Sequence, residues 1–218
     1  MMTLQLRPER GAALRVLCLG AHSDDIEIGC GGSVLRLVRE RGKALDVTWV
    51  VFSANGAREQ EAAASARAFL KGAGRSRIVT LHHRDGYFPY TADAVKDSFE
   101  RLKAECRPDV VFTHYRNDRH QDHRLISDLT WNTFRNHLVL EYEVPKYDGD
   151  MGVPNLFMPV DERTARRKAR LILTHFRTQR VKHWMTEETL TALLRLRGIE
   201  AGRSTRYAEA FYCRKAVL

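Results

Sequence analysis

The sequence predicts an α/β fold: a three-layer, Rossmann-like domain with a largely parallel central sheet. Three observations carry that expectation. Short apolar runs recur at 14–19, 45–52, 78–81, 108–113 and 138–144. Segments with helical character, at 31–41, 58–70, 92–106 and 123–137, stand between them. Strands alternating with helices in this way build βαβ units and a parallel sheet.

Taken in order, residues 1–13 are a polar lead-in. The run 14–19 reads as a buried strand, and the glycine cluster after it opens a helix over 31–41 that Gly42 stops. Residues 45–52 are β-branched and aromatic, hence a strand, and 53–56 a turn. Ala-rich 58–70 is a helix. A Gly/Arg loop over 71–77 precedes a short strand at 78–81, and 85–90 is an aromatic loop containing Tyr87, Phe88 and Tyr90. A helix over 92–106 leads to a strand at 108–113. The polar stretch 115–122 is a loop, followed by a helix over 123–137 and a strand over 138–144. Residues 147–154 form a Gly/Pro/Asp loop. Ala165, Ala169, Ile172 and Phe176 fall at helical spacing within 165–179; 186–196 is another helix and 207–214 a last strand.

Length and composition bound the function. The 218 residues suit one domain, with 44% hydrophobic and 29% charged residues. No apolar run approaches the ~20 residues of a membrane span, and the N-terminus lacks a signal-peptide core. Cys18, Cys30, Cys106 and Cys213 form no CxxC pair, so a reducing, cytoplasmic setting is expected. The net charge of +9 is uneven: 163–182 holds eight basic residues and no acidic one. The run reads as a solvated helix face, with an anionic substrate or partner as the functional expectation. Neither a P-loop, a GxSxG elbow nor a complete GxGxxG is present.

Two clusters carry chemistry. Ala21–Gly32 reads AHSDDIEIGCGG, placing His22, Asp24 and Asp25 where the first strand ends; Asn117–His123 reads NDRHQDH, just beyond the strand 108–113. Parallel strands end on one edge of the sheet, where ligand sites lie, so the clusters can converge although about 100 residues separate them. Two imidazoles and a carboxylate suit an open divalent-metal site, with a spare carboxylate as base and a spare His for the oxyanion or the leaving amine. Alone, Asp24 and Asp25 would read as helix caps and His22 as a buried histidine; together the clusters favour metal.

These motifs resemble the AHPDD and HPDH elements of the LmbE/PIG-L family of zinc-dependent N-deacetylases. The resemblance implies one Zn²⁺ per chain on His22, Asp25 and His123. It implies Asp24 as general base, His120 stabilising the tetrahedral intermediate, and Asp118 and Asp122 orienting imidazoles. Arg58 would contact substrate, and Glu61 and the YAEAF run at 207–211 match weaker elements. Ser23 and Gln121 replace the family's prolines, and Phe176-Arg-Thr-Gln179 only loosely follows its Ser-Gln element. The implied activity is removal of an N-acetyl group from an amino sugar or sugar conjugate, a small-molecule partner. A membrane span or nucleic acid is not expected, and a homo-oligomer is left open. Two rivals remain: an amidase for a larger N-acyl conjugate, and a basic nucleic-acid-binding module with a vestigial site.

Overall fold

A computed structural model of the chain describes residues 3–8, 11–202 and 204–217; positions 1, 2, 9 and 10 of the lead-in lie outside the described residues. Strands β1 (Leu14–His22), β2 (Leu45–Ser53), β3 (Arg75–Thr80), β4 (Val110–His114), β5 (Leu138–Tyr142), β6 (Leu156–Val160) and β7 (Tyr207–Cys213) form one sheet. Its order is β3-β2-β1-β4-β5-β7-β6. The first five strands run parallel to their neighbours, whereas β7 is antiparallel to both β5 and β6. This is the three-layer, mostly parallel architecture the sequence predicts. Strand β6 is the addition. Its LFMPV stretch follows a Gly/Pro/Asn run and shows no alternation, so the sequence assigns it no element and pairing with β7 makes it a strand.

Helices cover both faces. On one lie α1 (Asp25–Arg41), α2 (Ala57–Phe69), α5 (Glu162–His175) and α6 (Glu187–Glu200), with α5 packed on α1, α2 and α6; on the other lie α3 (Ala92–Glu105) and α4 (Gln121–Thr133). Side chains alternate along each strand. In β1, Leu14, Val16 and Cys18 join the core under α1, while Leu17, Leu19 and Ala21 join the core under α3 and α4. Both faces are therefore apolar, and each fully buried Leu, Val or Phe contributes roughly 1.5–3 kcal/mol.

Helix α1 starts earlier than its glycines suggest. Gly29 and Gly32 lie inside it, where a Cβ on Gly29 would overlap the Tyr142 ring and one on Gly32 would sit 2.9 Å from Glu209 Oε1. The glycines let the helix lie close on β5 and β7. The basic run is also divided by the fold. Lys168 is buried, where it bonds Glu209 and the Ile28 carbonyl at 2.6 Å. Glu162, just before the run, pairs with Arg166 and Arg206, so the segment is less one-sided than its sequence implies. All four cysteines are free.

Candidate functional site

β1 pairs β2 on one side and β4 on the other, so the sheet changes direction at β1. Open α/β sheets bind ligands at such a switch point. The pairing Val16↔Val110 to Cys18↔Phe112 places the carboxyl ends of β1 and β4 side by side. His22 ends β1, Asp25 opens α1, and His123 lies in the first turn of α4. These elements bring three ligand-type atoms together. His22 Nδ1 lies 3.2 Å from His123 Nε2 and 3.4 Å from Asp25 Oδ2, and His123 Nε2 lies 3.4 Å from Asp25 Oδ2. A tetrahedral centre with ligand bonds of about 2.0–2.1 Å has edges of about 3.3–3.4 Å. The three spacings match those expected between the ligand atoms of a metal ion.

The remaining ring nitrogens are held by carboxylates. His123 Nδ1–H donates to Asp118 Oδ2 at 2.9 Å, and His22 Nε2–H to Asp122 Oδ2 at 3.1 Å. Each bond turns the opposite nitrogen's lone pair into the triangle, the usual support for a metal-binding imidazole. Asp122 is itself fixed by the amides of Gly86 (2.7 Å) and Phe88 (3.1 Å), and Asp118 by Lys146 (2.8 Å). Burial, with His114 stacked beside the ring as a lesser cause, pushes the His123 pKa down to about 4, so the ring is neutral at pH 7. Burial also opposes charge on His22, but Asp122, Asp25 and Asp85 outweigh it and raise its pKa. Burial likewise works against ionised Asp25, yet His123 and His114 hold its carboxyl well below the usual range.

Asp24 differs from its neighbour. It precedes α1 in the capping position but makes no capping hydrogen bond, and its buried Oδ2 has no partner. Its φ of 106° is the one positive value on a non-glycine among the described residues. Such a conformation costs on the order of 1–3 kcal/mol and persists where the surroundings impose it. Burial, reinforced by the Asp25 charge, pushes its pKa up to about 7, with Lys182 and Arg58 pulling the other way.

His120 caps α4. Its Nδ1 accepts the Asp122 amide at 3.3 Å, which leaves Nε2 to carry the proton. The ring lies edge-on to His22 at 4.8 Å and stacks on His123 at 4.6 Å. Burial and the His22 charge lower its pKa. Arg58 Nη1 bonds Asp85 (3.1 Å) and Nη2 the Ser23 carbonyl (3.2 Å), while its buried Nε has no partner. Glu61 turns away to hold Thr178.

Three groups at the site escape sequence reading. His114 ends β4, accepts the Ala21 amide at 2.9 Å, lies 3.3 Å from Asp25 Oδ2 and stacks on His123 at 3.9 Å. Its place at a strand end, like that of His22, was the available signal. Asp85 approaches His22 Nε2 to 3.1 Å from the loop after β3, and Lys146 reaches Asp118 from the loop after β5. Nothing local marks either one.

Histidine and carboxylate ligand atoms converging at the switch point of a parallel sheet define a metallohydrolase-type centre. Residues 17–134 match the PIG-L family, described as GlcNAc-PI de-N-acetylase, and the chain belongs to that family. It is 29% identical over 143 residues to an Escherichia coli K12 protein described as the uncharacterized deacetylase YaiS, covering 60% of this chain and 74% of that one. Its fold is similar to that of the conserved protein TT1542 from Thermus thermophilus, with a TM-score of 0.75, 24% identity and coverage of 94% and 96% of the two chains. It is similar too to the N,N'-diacetylchitobiose deacetylase of Pyrococcus horikoshii, with a TM-score of 0.69, 24% identity and coverage of 91% and 83%.

Proposed function

We propose that the chain is a zinc-dependent N-deacetylase acting on an amino sugar or sugar conjugate, with one zinc ion held by His22, Asp25 and His123. The observation that carries this reading is the triangle of ligand atoms, 3.2–3.4 Å on a side, beside the unpartnered carboxylate of Asp24. A donor set of two imidazoles and one carboxylate suits zinc or another transition metal better than magnesium or calcium. When bound, the ion polarises the amide carbonyl and lowers the pKa of water beside it toward ~7.

The chain's own groups supply the rest. Asp24 has no hydrogen bond at Oδ2 to lose and a pKa near neutrality, so it accepts the proton of the attacking water as the C–O bond forms. His120 offers its Nε2–H to the carbonyl oxygen as charge develops there. When the C–N bond breaks, the proton taken from water goes to the leaving amine, in reach of Asp24 and His120. Acetate and a free amine result. Asp118 and Asp122 keep the two ligand rings in register. Arg58, which reaches Asp85 and the Ser23 carbonyl at the edge of the site, would hold a polar substrate group. The arginines of α5 make an anionic substrate or partner the finer expectation. The four free cysteines suit a cytoplasmic setting.

The spacing of the three ligand atoms supports a working centre over a vestigial one. The test is metal analysis combined with acetate release from N-acetylglucosaminides. Wild type should bind one zinc per chain and release acetate; His123→Ala should lose both. Unchanged zinc content in the variant sinks the ligand assignment, and release of other acyl groups in place of acetate points to an amidase.

A further inference from the structure

Strands β1 and β4 part where the ligands stand. Their pairing runs from Val16↔Val110 to Cys18↔Phe112 and ends there. β1 continues to His22 along β2, and β4 continues to His114 along β5. The β1 backbone beyond Cys18 therefore needs other partners on its β4 side. His114 supplies one. The side chain of this last β4 residue crosses the gap, and its Nε2 accepts the Ala21 amide at 2.9 Å.

The His114 ring touches every element that carries a ligand. Nε2 fixes the residue before His22 and lies 3.3 Å from Asp25 Oδ2, the oxygen that faces the triangle. The ring plane stacks on His123, with centroids 3.9 Å apart and 20° between the planes. Tyr142, its neighbour in β5, holds it in turn. The Tyr142 hydroxyl donates to the Leu19 carbonyl at 2.6 Å and lies 3.4 Å from the same Nε2. His114 is fully buried, so it meets neither solvent nor substrate.

Packing does not account for a histidine here. An Nε2 that accepts leaves the proton on Nδ1, and that buried atom has no partner. A buried donor without an acceptor weakens a fold. What an imidazole offers over an apolar side chain at this place is the acceptor at Nε2. Direct ligation does not account for it either. One Nε2 and one ligand atom each of Asp25 and His123 lie within 4.8 Å of one another, but the Nε2 lone pair is taken by the Ala21 amide.

We infer that His114 is a positioning residue: by holding the Ala21 amide and backing Asp25 and His123, it sets the spacing of the three ligand atoms and so the affinity for the metal they hold. This rests on the ligand assignment of the proposed function and adds to it a residue that is not itself a ligand.

The experiment compares His114→Gln with His114→Asn. Both replace the ring by the same amide group. The glutamine oxygen reaches the place of Nε2, whereas the asparagine amide stops short of it, at the place of Nδ1. Zinc affinity is measured by competition with a chelating dye, and urea unfolding of the metal-free proteins checks that each is folded. His114→Asn should bind zinc about 10–100-fold more weakly than wild type, the usual cost of losing a group that orients a metal ligand. His114→Gln should stay within a few-fold of wild type. Should the Asn variant fail to fold, His114→Met, which fills the site without such an acceptor, takes its place in the comparison. Equal affinity in the two variants, at the wild-type value or far below it, overturns the inference, because the acceptor at Nε2 is then not what matters. A Gln variant as poor in zinc as His123→Ala overturns it by making His114 a ligand. Wild type that binds no zinc fails the ligand assignment itself, before any His114 variant is compared.

Discussion

Where α1, α5 and β7 meet, buried charge is matched bond for bond. Lys168 Nζ bonds Glu209 and the Ile28 carbonyl, and Glu209 also accepts the amides of Gly32 (2.7 Å) and Ser33 (2.6 Å). Nearby, Glu143 accepts from Arg197, Tyr212 and the Gly152 amide. At the ends of β1 and β4, charge is buried just as deeply but left incomplete. Asp24 Oδ2, both oxygens of Glu27 and His114 Nδ1 have no partner, and burial holds the Glu27 pKa up at about 8. Two regions of one core thus treat buried ionisable groups in opposite ways. Completed pairs fasten helices to the sheet. Incomplete ones keep bonding capacity for something that arrives later. Burial of charge alone does not mark a site; here the buried carboxylate oxygens left without a partner belong to Asp24 and Glu27, on either side of Asp25.

The comparison can be broken most forcefully from the fastened side. Lys168→Met leaves Glu209 buried without its cation, and removal of one partner of such a pair costs about 3–5 kcal/mol. Urea unfolding should show this loss, while kcat per folded molecule stays at wild type. A variant of normal stability would mean that the pair is not what anchors α5.

From the incomplete side, the prediction is the reverse. Asp24→Asn should keep its zinc and lower deacetylation by about 10²-fold or more. It should also stabilise the metal-free protein above neutral pH. The folded pKa of Asp24 is raised from 3.8 to about 7. Between those values the folded state keeps a proton that the unfolded state has lost, so stability falls as pH rises through that window and the penalty is complete above 7. Asn carries no such penalty. Chelator-treated variant and wild type should therefore differ in unfolding midpoint at pH 8 and converge near pH 4. Loss of zinc together with activity would show Asp24 to be a ligand.

His120 sharpens the contrast within the site. His120→Ala should retain zinc and lower kcat by about 10²-fold, more than it raises KM. A change confined to KM would make it a binding residue. The smallest effect belongs to the helix α5 surface. Arg163, Arg167 and Arg170 line an open groove of about 870 Å³, and their side chains form no ion pair or hydrogen bond with the described residues. Arg167→Gln with Arg170→Gln should raise KM a few-fold for a phosphate-bearing substrate and flatten its salt dependence, leaving a neutral N-acetyl sugar unaffected. Identical behaviour on both substrates returns the run to a solvated face.

The sequence exposes some of this and hides the rest for definable reasons. The parallel sheet is legible because each central strand is a short apolar run followed by a helix. His22, Asp24, Asp25, His120 and His123 stand out because they crowd polar chemistry onto strand ends. Asp85 and Lys146 are silent, since their partners lie 63 and 28 residues away, His22 for one and Asp118 for the other. The start of α1 is misplaced because Gly29 reads as a breaker until Tyr142 is seen lying against it. β6 has no pattern of its own; it is a strand only because β7 lends it an edge.

The triangle joins residues 101 positions apart, His22 and His123, and only the parallel pairing of β1 with β4 closes that loop. An unfolded chain offers His22 and Asp25 as a local pair but cannot present the third atom. On the proposed ligand set, metal capture would wait on that long-range pairing and stabilise it by mass action.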